Sequence, residues 1–278
     1  MNLEKLSIQK VVLLVIILVL STTACKHTTS SAEKEDAQGR TWQIHVPDGL
    51  TGNVPLVVDL HGYTSTSSGQ RAISGFEQLA DANGFIVVWP QGINNSWNSG
   101  TCCGISRSKG VDDVAFIRAL VAQIVDEQNI DANRIYVTGL SNGCSMSQRL
   151  AMDASDLFAA AACMAFYLLI PENETYSPIP VMEIHGTSDY TVPYNPGAAD
   201  NFSSWAGYNG CSGSPVITEI SDSGSAETGT VQTYQNCSGN AKVSLVTIDG
   251  GGHVLYDGYG TNFNTSAMAW DFVSAFSK

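Results

Sequence analysis

Arg134-Ile135-Tyr136-Val137-Thr138-Gly139-Leu140-Ser141-Asn142-Gly143 runs an apolar segment into a serine that has a glycine two residues away on each side. The apolar part reads as a buried strand, and the helix-like stretch 144–152 follows it at once. A strand that turns sharply into a helix leaves its central serine in a strained conformation with the hydroxyl exposed, and the flanking glycines remove side chains that would clash. Ser141 is therefore a candidate nucleophile. The competing reading is an ordinary Gly-rich turn, and the strand, turn, helix order argues against it.

Short apolar runs recur on both sides of this stretch, at 56–60, 85–89, 135–137, 158–165, 181–184 and 243–248. Near-continuous hydrophobic runs suit strands covered on both faces. Helical stretches lie between them at 70–82, 114–128 and 144–152, and 265–276 closes the sequence. Within 114–128, Val114, Ile117, Leu120, Val121, Ile124 and Val125 share one helical face, and Asp112 or Asp113 can cap its start. This alternation predicts an α/β fold with a mostly parallel central sheet flanked by helices, and 42–46 adds an antiparallel edge strand.

The first 24 residues carry Lys5 and Lys10, an uninterrupted apolar run at 11–20, and small residues up to Ala24. That pattern reads as a secretory signal, with an apolar core too short to span a bilayer. Cys25 follows Ala24 and raises lipoprotein processing as an alternative to simple secretion, although Thr22 replaces the usual Leu. A lipid on Cys25, or a retained signal anchor, would tie the chain to a membrane. Residues 25–39 are polar and read as a disordered tether, leaving 40–278 as a single catalytic domain. The formal net charge of −13 disfavours nucleic acid and anionic lipid surfaces as partners.

Seven cysteines become six once Cys25 is set aside, and an even number behind an export signal favours disulfides. Cys211 and Cys237 bracket two alternating segments, 216–220 and 231–235, around the Gly/Ser-rich tip 221–229, so they are expected to pair across a hairpin. Adjacent Cys102 and Cys103 are expected to seek different partners, with a vicinal bridge as the rarer alternative. Paired C-x-x-C spacing is lacking, so no metal is expected.

A serine nucleophile needs a base, an acid and an oxyanion site. Five histidines are available. His27 lies in the tether, His45 on the edge strand, and His61 and His185 each end a strand just before a glycine. His253 follows Gly250-Gly251-Gly252 after the last strand, where a flexible loop can fold an imidazole back over the sheet. His253 is the expected base. A carboxylate between Ser141 and His253 must orient it, and Asp189, just past the strand ending in His185-Gly186, fits; Asp249, Asp200 and Asp222 are rivals. The order Ser141, Asp189, His253 is that of α/β-hydrolases. Asn142 supplies one oxyanion N–H by position, and Tyr63, or else Thr64, supplies the other.

Several of these stretches together resemble the secreted esterases that include feruloyl esterases and polyhydroxybutyrate depolymerases. They are Pro55-Leu56-Val57-Val58-Asp59-Leu60-His61-Gly62, Val88-Trp89-Pro90-Gln91-Gly92, the stretch 96–104 with Cys102-Cys103, Val111-Asp112-Asp113-Val114, Gly139 to Gly143, His185-Gly186-Thr187-Ser188-Asp189 and Gly250-Gly251-Gly252-His253. The resemblance implies the α/β-hydrolase fold and a cofactor-free ester hydrolase using Ser141, Asp189 and His253. Its substrate would be a feruloyl or acetyl ester on plant polysaccharide, or alternatively a hydroxyalkanoate polyester or oligoester. Cys144, Ser145 and Cys163 depart from the family pattern, and a bridge from their region to Cys102 or Cys103 is expected. Trp97, Tyr190, Tyr63 and Val192 fall on loops at the same end of the sheet, where they can pack against an acyl group, with Trp97 and Tyr190 the main candidates. A silent hydrolase acting as a binding protein, and a peptidase or lipase, are the other readings; the polar hairpin offers no broad apolar lid.

Overall fold

The computed structural model describes residues 33–36 and 39–278. The expected signal over 1–24 and the Cys25 lipid site lie outside the described residues. The tether reading fails at its far end: Lys34–Glu35 (β1) pairs antiparallel with Thr41–His45 (β2), and the Lys34 ammonium reaches Glu127 at 2.5 Å.

The remaining strands of the main sheet are Val54–Leu60 (β3), Ile86–Pro90 (β4), Ile130–Gly139 (β5), Ala160–Met164 (β6), Val181–Gly186 (β7), Val216–Ser221 (β8), Thr228–Tyr234 (β9) and Val243–Ile248 (β10). Among the described residues they assemble in the order β1-β2-β4-β3-β5-β6-β7-β10-β9-β8. The run from β4 through β10 is parallel, whereas β1 and β2 at one edge and β9 and β8 at the other are antiparallel. The helices are Ser67–Ser74 (α1), Phe76–Asn83 (α2), Gly104–Ser108 (α3), Asp113–Glu127 (α4), Asn142–Asp153 (α5), Gly197–Tyr208 (α6) and Thr265–Ser274 (α7).

Period-two alternation along the central strands divides the core between two faces. Leu56, Val58 and Leu60 of β3 pack with Ile117 and Leu120 of α4, Leu150 of α5 and Trp205 of α6. Val57 points the other way, with Phe76 and Ala80 of α2 and Trp270 and Val273 of α7. Both faces are covered, which is why the strands read as unbroken apolar runs; each large aliphatic side chain buried there contributes roughly 1.5–3 kcal/mol.

The expected helix over 70–82 is two helices, because Gly75 adopts φ 69° and both ends α1 and starts α2. Such a left-handed residue cannot continue a helix, and glycine takes it without steric cost. Neither α3 nor α6 was expected from the sequence; α6 buries Ala198, Phe202, Trp205 and Ala206 on one face, with Asn, Ser and Gly between them.

Candidate active site

The β5–α5 turn positions Ser141. Its φ of 56° and ψ of −121° lie in strained territory for a residue with a side chain, a cost of about 1–3 kcal/mol that the neighbouring strands must offset. They do so through backbone bonds: the Ser141 N–H donates to the Met164 carbonyl at 2.9 Å and the Leu140 N–H to the Leu60 carbonyl at 3.1 Å. The flanking glycines are a requirement of packing. A Cβ on Gly143 would stand 2.0 Å from the Leu60 oxygen, and one on Gly139 would stand 2.6 Å from that same oxygen.

The His253 loop and the loop after β7 meet beside this turn. His253 Nε2 lies 2.9 Å from Ser141 Oγ, and its Nδ1 lies 2.7 Å from Asp189 Oδ2. Asp189 is buried, and its Oδ1 accepts the N–H groups of Thr191 and Val192 at 2.8 and 2.9 Å. The Ser188 N–H donates to the Gly251 carbonyl at 2.9 Å, and a Cβ on Gly186 would stand 2.1 Å from that oxygen. Close backbone approach, as well as flexibility, explains the glycine run before His253. The rival acids are occupied elsewhere: Asp249 accepts from Thr228 Oγ1 at 2.7 Å, Asp222 closes a turn onto Gly224, and Asp200 lies on α6.

Opposite this trio stand Tyr63 and Asn142. A Cβ on Gly62 would touch Ser141 Cβ at 3.5 Å, so the turn after β3 abuts the serine. The Thr64 N–H is taken by the Asn95 carbonyl at 2.8 Å, whereas among the described residues the N–H groups of Tyr63 and Asn142 donate to no partner. His61 holds this turn from beneath. The Gly92 N–H donates to its Nε2 at 2.9 Å, leaving Nδ1 to donate to the Gly62 carbonyl at 2.8 Å. Burial lowers the His61 pKa to about 4, so the ring is neutral there.

Trp97 departs from expectation. It is fully buried; its indole N–H donates to the His61 carbonyl at 2.9 Å and its ring packs on His61. Its backbone N–H donates to Asn142 Oδ1 at 2.7 Å, and Asn142 Nδ2 donates back to the Trp97 carbonyl at 3.0 Å. Trp97 thus clamps the two segments bearing the free N–H groups and is withdrawn as a contact for substrate, because a buried indole N–H must find a partner and finds it inside. Val192 is also buried, serving through its backbone. Tyr190, 93% exposed, and Tyr63, 50% exposed, remain on the surface of this end of the sheet.

The cysteines also rearrange the expectations. Cys211 and Cys237 stand in bonding position, as the hairpin implied. Cys144 on α5 pairs with Cys163 on β6, with Cα atoms 4.9 Å apart, and Cys102 pairs with Cys103, so the expected bridge between the two regions does not form. The reason is topological: α5 leaves the serine turn across β6, which brings Cys144 over Cys163.

Two buried clusters escaped the sequence reading. Glu183 and His185 of β7 lie behind Asp189, with His185 Nδ1 2.6 Å from Glu183 Oε1 and His185 Nε2 3.3 Å from Asp189 Oδ2. Their spacing, two residues apart on one strand, puts them on one face and was the signal available. Asp59 of β3 accepts from Gln70 Nε2 at 2.6 Å and from Trp89 Nε1 at 2.8 Å. Burial raises its pKa from 3.8 to about 6 against the pull of these donors.

The family model described as Esterase PHB depolymerase matches residues 41–233. The chain belongs to that family. It is 32% identical over 259 residues to a feruloyl esterase B of Piromyces equi, covering 84% of this chain and 45% of that protein. It is 31% identical over 266 residues to a poly(3-hydroxyalkanoate) depolymerase C of Paucimonas lemoignei, covering 82% of this chain and 62% of the relative. The chain spans about half the length of the curated relatives it matches. Its fold superposes on an acetyl xylan esterase from Aspergillus awamori with a TM-score of 0.70 at 18% identity, over 87% of this chain and 98% of the other. The mostly parallel sheet with helices on both faces is thus of the α/β-hydrolase type.

Proposed function

We propose that this chain hydrolyses carboxylic esters through an acyl-enzyme, with Ser141 as nucleophile, His253 as base and Asp189 as the acid that orients and stabilises the imidazolium. The observation that carries this reading is the unbroken line from Ser141 Oγ to His253 Nε2 at 2.9 Å and from His253 Nδ1 to Asp189 Oδ2 at 2.7 Å, on a strained strand-to-helix turn. His253 takes the hydroxyl proton as Ser141 attacks the carbonyl, then returns it to the departing alcohol; water repeats the sequence to release the acid. The Tyr63 and Asn142 N–H groups hold the oxyanion, the kind of preorganised donor pair worth about 3–4 kcal/mol per member to the transition state. No cofactor takes part in these steps.

The substrate we favour is a feruloyl or acetyl ester carried on plant polysaccharide. It is supported by relatives named feruloyl esterase and acetylxylan esterase and by an exposed Tyr190 beside the acid, able to offer an aromatic face. A polyester or oligoester of hydroxyalkanoate is the second reading, supported by the relative named poly(3-hydroxyalkanoate) depolymerase C. The signal pattern over residues 1–24 supports export, with or without lipid on Cys25.

The test is the initial rate on methyl ferulate against a soluble hydroxybutyrate oligomer, with Ser141→Ala as blank. Preference for ferulate is the expected result, and preference for the oligomer would move the protein to polyester breakdown. Ser141→Ala should lose at least about 10⁴-fold in kcat on either ester while melting as the wild type does. Retained turnover would remove Ser141 from its role.

A further inference from the structure

Behind the proposed acid lies a second pair of ionisable side chains that the reaction above does not use. His185 and Glu183 are both buried. The Val192 carbonyl, 2.9 Å from His185 Nε2, fixes a proton on that nitrogen, since a carbonyl can only accept. The same Nε2–H lies 3.3 Å from Asp189 Oδ2, the oxygen that also receives His253. On the far side, Glu183 Oε1 sits 2.6 Å from His185 Nδ1, and Glu183 Oε2 accepts from the Asn201 amide, which also donates to Gln148 Oε1 at 2.9 Å. Every polar atom of the pair is thus engaged. Asp189 is held by donors from Thr191, Val192 and His253, with His185 Nε2 close against its Oδ2.

We propose that Glu183 keeps His185 as a buried imidazolium, and that His185 acts as a positioning residue which holds Asp189 and lowers the pH at which the Ser141–His253 pair begins to work. This rests on the ester-hydrolase reading. A cation against Asp189 Oδ2 opposes a second cation on the other side of the same oxygen. Glu183 offsets part of that effect, but it stands one ring farther away, and Coulomb energy falls with distance. Burial disfavours charge on both members and raises the Glu183 pKa against the pull of His185 and Asn201, yet at His185 the hydrogen bond and charge of Glu183, with the Val192 carbonyl and the charge of Asp189, outweigh burial and raise its pKa. The other ionisable groups around the ring are Tyr167, stacked at 6.5 Å, and Tyr194, edge-on at 5.7 Å. The α6 and α5 side chains that reach the pair, Asn201 and Gln148, carry no charge.

Glu183→Gln is the discriminating variant. With its NH2 turned to His185 Nδ1 and its oxygen to Asn201, the glutamine can keep both hydrogen bonds and the shape, while removing the reason for His185 to be charged. The acid limb of kcat/KM should move up by about half to one pH unit, with KM within twofold and kcat on the plateau several-fold lower. A purely structural role would lower the melting temperature and leave the limb in place, which would overturn the proposal. The rate of Ser141 acylation by a fluorophosphonate against pH reports the same limb without a natural substrate, so failure to find an ester that is cleaved is separable from failure here. Should the variant not fold, ¹⁵N NMR of the wild-type imidazoles decides: His185 should keep both ring nitrogens protonated from pH 6 to 8. A neutral ring across that range would overturn the proposal.

Discussion

The dipeptide His-Gly closes two strands of this sheet, and the two copies behave oppositely. His61-Gly62 directly follows β3, and His185-Gly186 lies at the end of β7; both imidazoles are fully buried. His61 meets a carbonyl, a backbone N–H and the Trp97 ring, and burial takes its pKa down to about 4. His185 meets Glu183 at 2.6 Å and Asp189 at 3.3 Å, and its pKa is raised. Burial is the same in both; the partner decides the charge. One side of the serine is therefore held by neutral contacts, and the oxyanion role proposed for the Tyr63 and Asn142 N–H groups needs only their dipoles there. The other side is held by charges that meet at Asp189.

The comparison is broken most severely at the glycines that let each side approach. Gly143→Ala should collapse the neutral side and Gly186→Ala the charged side, since the new Cβ atoms would stand 2.0 and 2.1 Å from backbone oxygens. Each should cost more than about 3 kcal/mol in denaturant unfolding, with activity lost. A Gly186→Ala protein that melts like wild type would show that the two loops bearing Asp189 and His253 are not rigidly tied.

Asp59 sharpens the comparison as a buried acid whose close partners, Gln70 and Trp89, are neutral donors. Its pKa in the folded protein is about 6 against an ordinary 3.8, so unfolding releases a group that ionises more readily. Stability should then fall as pH rises from about 4 to about 6 and stay level above that window, the opposite of a salt-bridged carboxylate. The full interval corresponds to roughly 3 kcal/mol. Asp59→Asn should recover most of it at pH 7.5 and little at pH 4, read by urea midpoints at both values. Gln70 can turn its amide to suit, because its Oε1 is buried without a partner among the described residues. Equal gains at both pH values would mean that Asp59 is not neutralised at low pH.

Trp97→Phe tests the neutral side alone. It leaves the His61 carbonyl buried without its indole donor, a loss of about 1–3 kcal/mol, and should lower kcat by roughly tenfold while leaving KM nearly unchanged. A change in KM with kcat intact would restore Trp97 as a contact for substrate.

What could be read from the sequence follows from how local each signal is. The sheet was legible because both of its faces are covered, so β3, β4, β7 and β10 appear as plain apolar runs. Ser141, Asp189 and His253 were legible as candidates because each ends or follows such a run, and the structure brings their side chains within hydrogen-bonding distance of one another. Trp97 was misread because exposure is a tertiary property: a loop tryptophan looks the same whether it faces an acyl group or His61. The partner of Cys144 depends on where α5 crosses β6, which no spacing encodes, whereas Cys102 takes the vicinal partner that was read as the rarer alternative. Glu183 and His185 were hidden because an acid and a histidine inside a strand gain meaning only once Asp189 folds back over them. The break at Gly75 went unseen because periodicity continues through it.

The smallest effect should come from the residue most open to solvent. Tyr190 follows Asp189 directly in the chain, yet its side chain is 93% exposed, so neither the neutral nor the charged support of the site depends on it. Tyr190→Ala should leave the melt within about 0.5 kcal/mol of wild type, as surface substitutions do. If its ring stacks on an aromatic acid, KM for methyl ferulate should rise about three- to tenfold while KM for an acetyl ester stays unchanged, since an acetyl group has no face to stack. Tyr63→Ala provides the contrast, because its proposed role belongs to the backbone N–H, which alanine retains; kcat should hold even though half of the ring is exposed at the same end. Equal rises in KM for both esters would assign Tyr190 to the alcohol side of the substrate, where a sugar or a second hydroxyacid unit would lie.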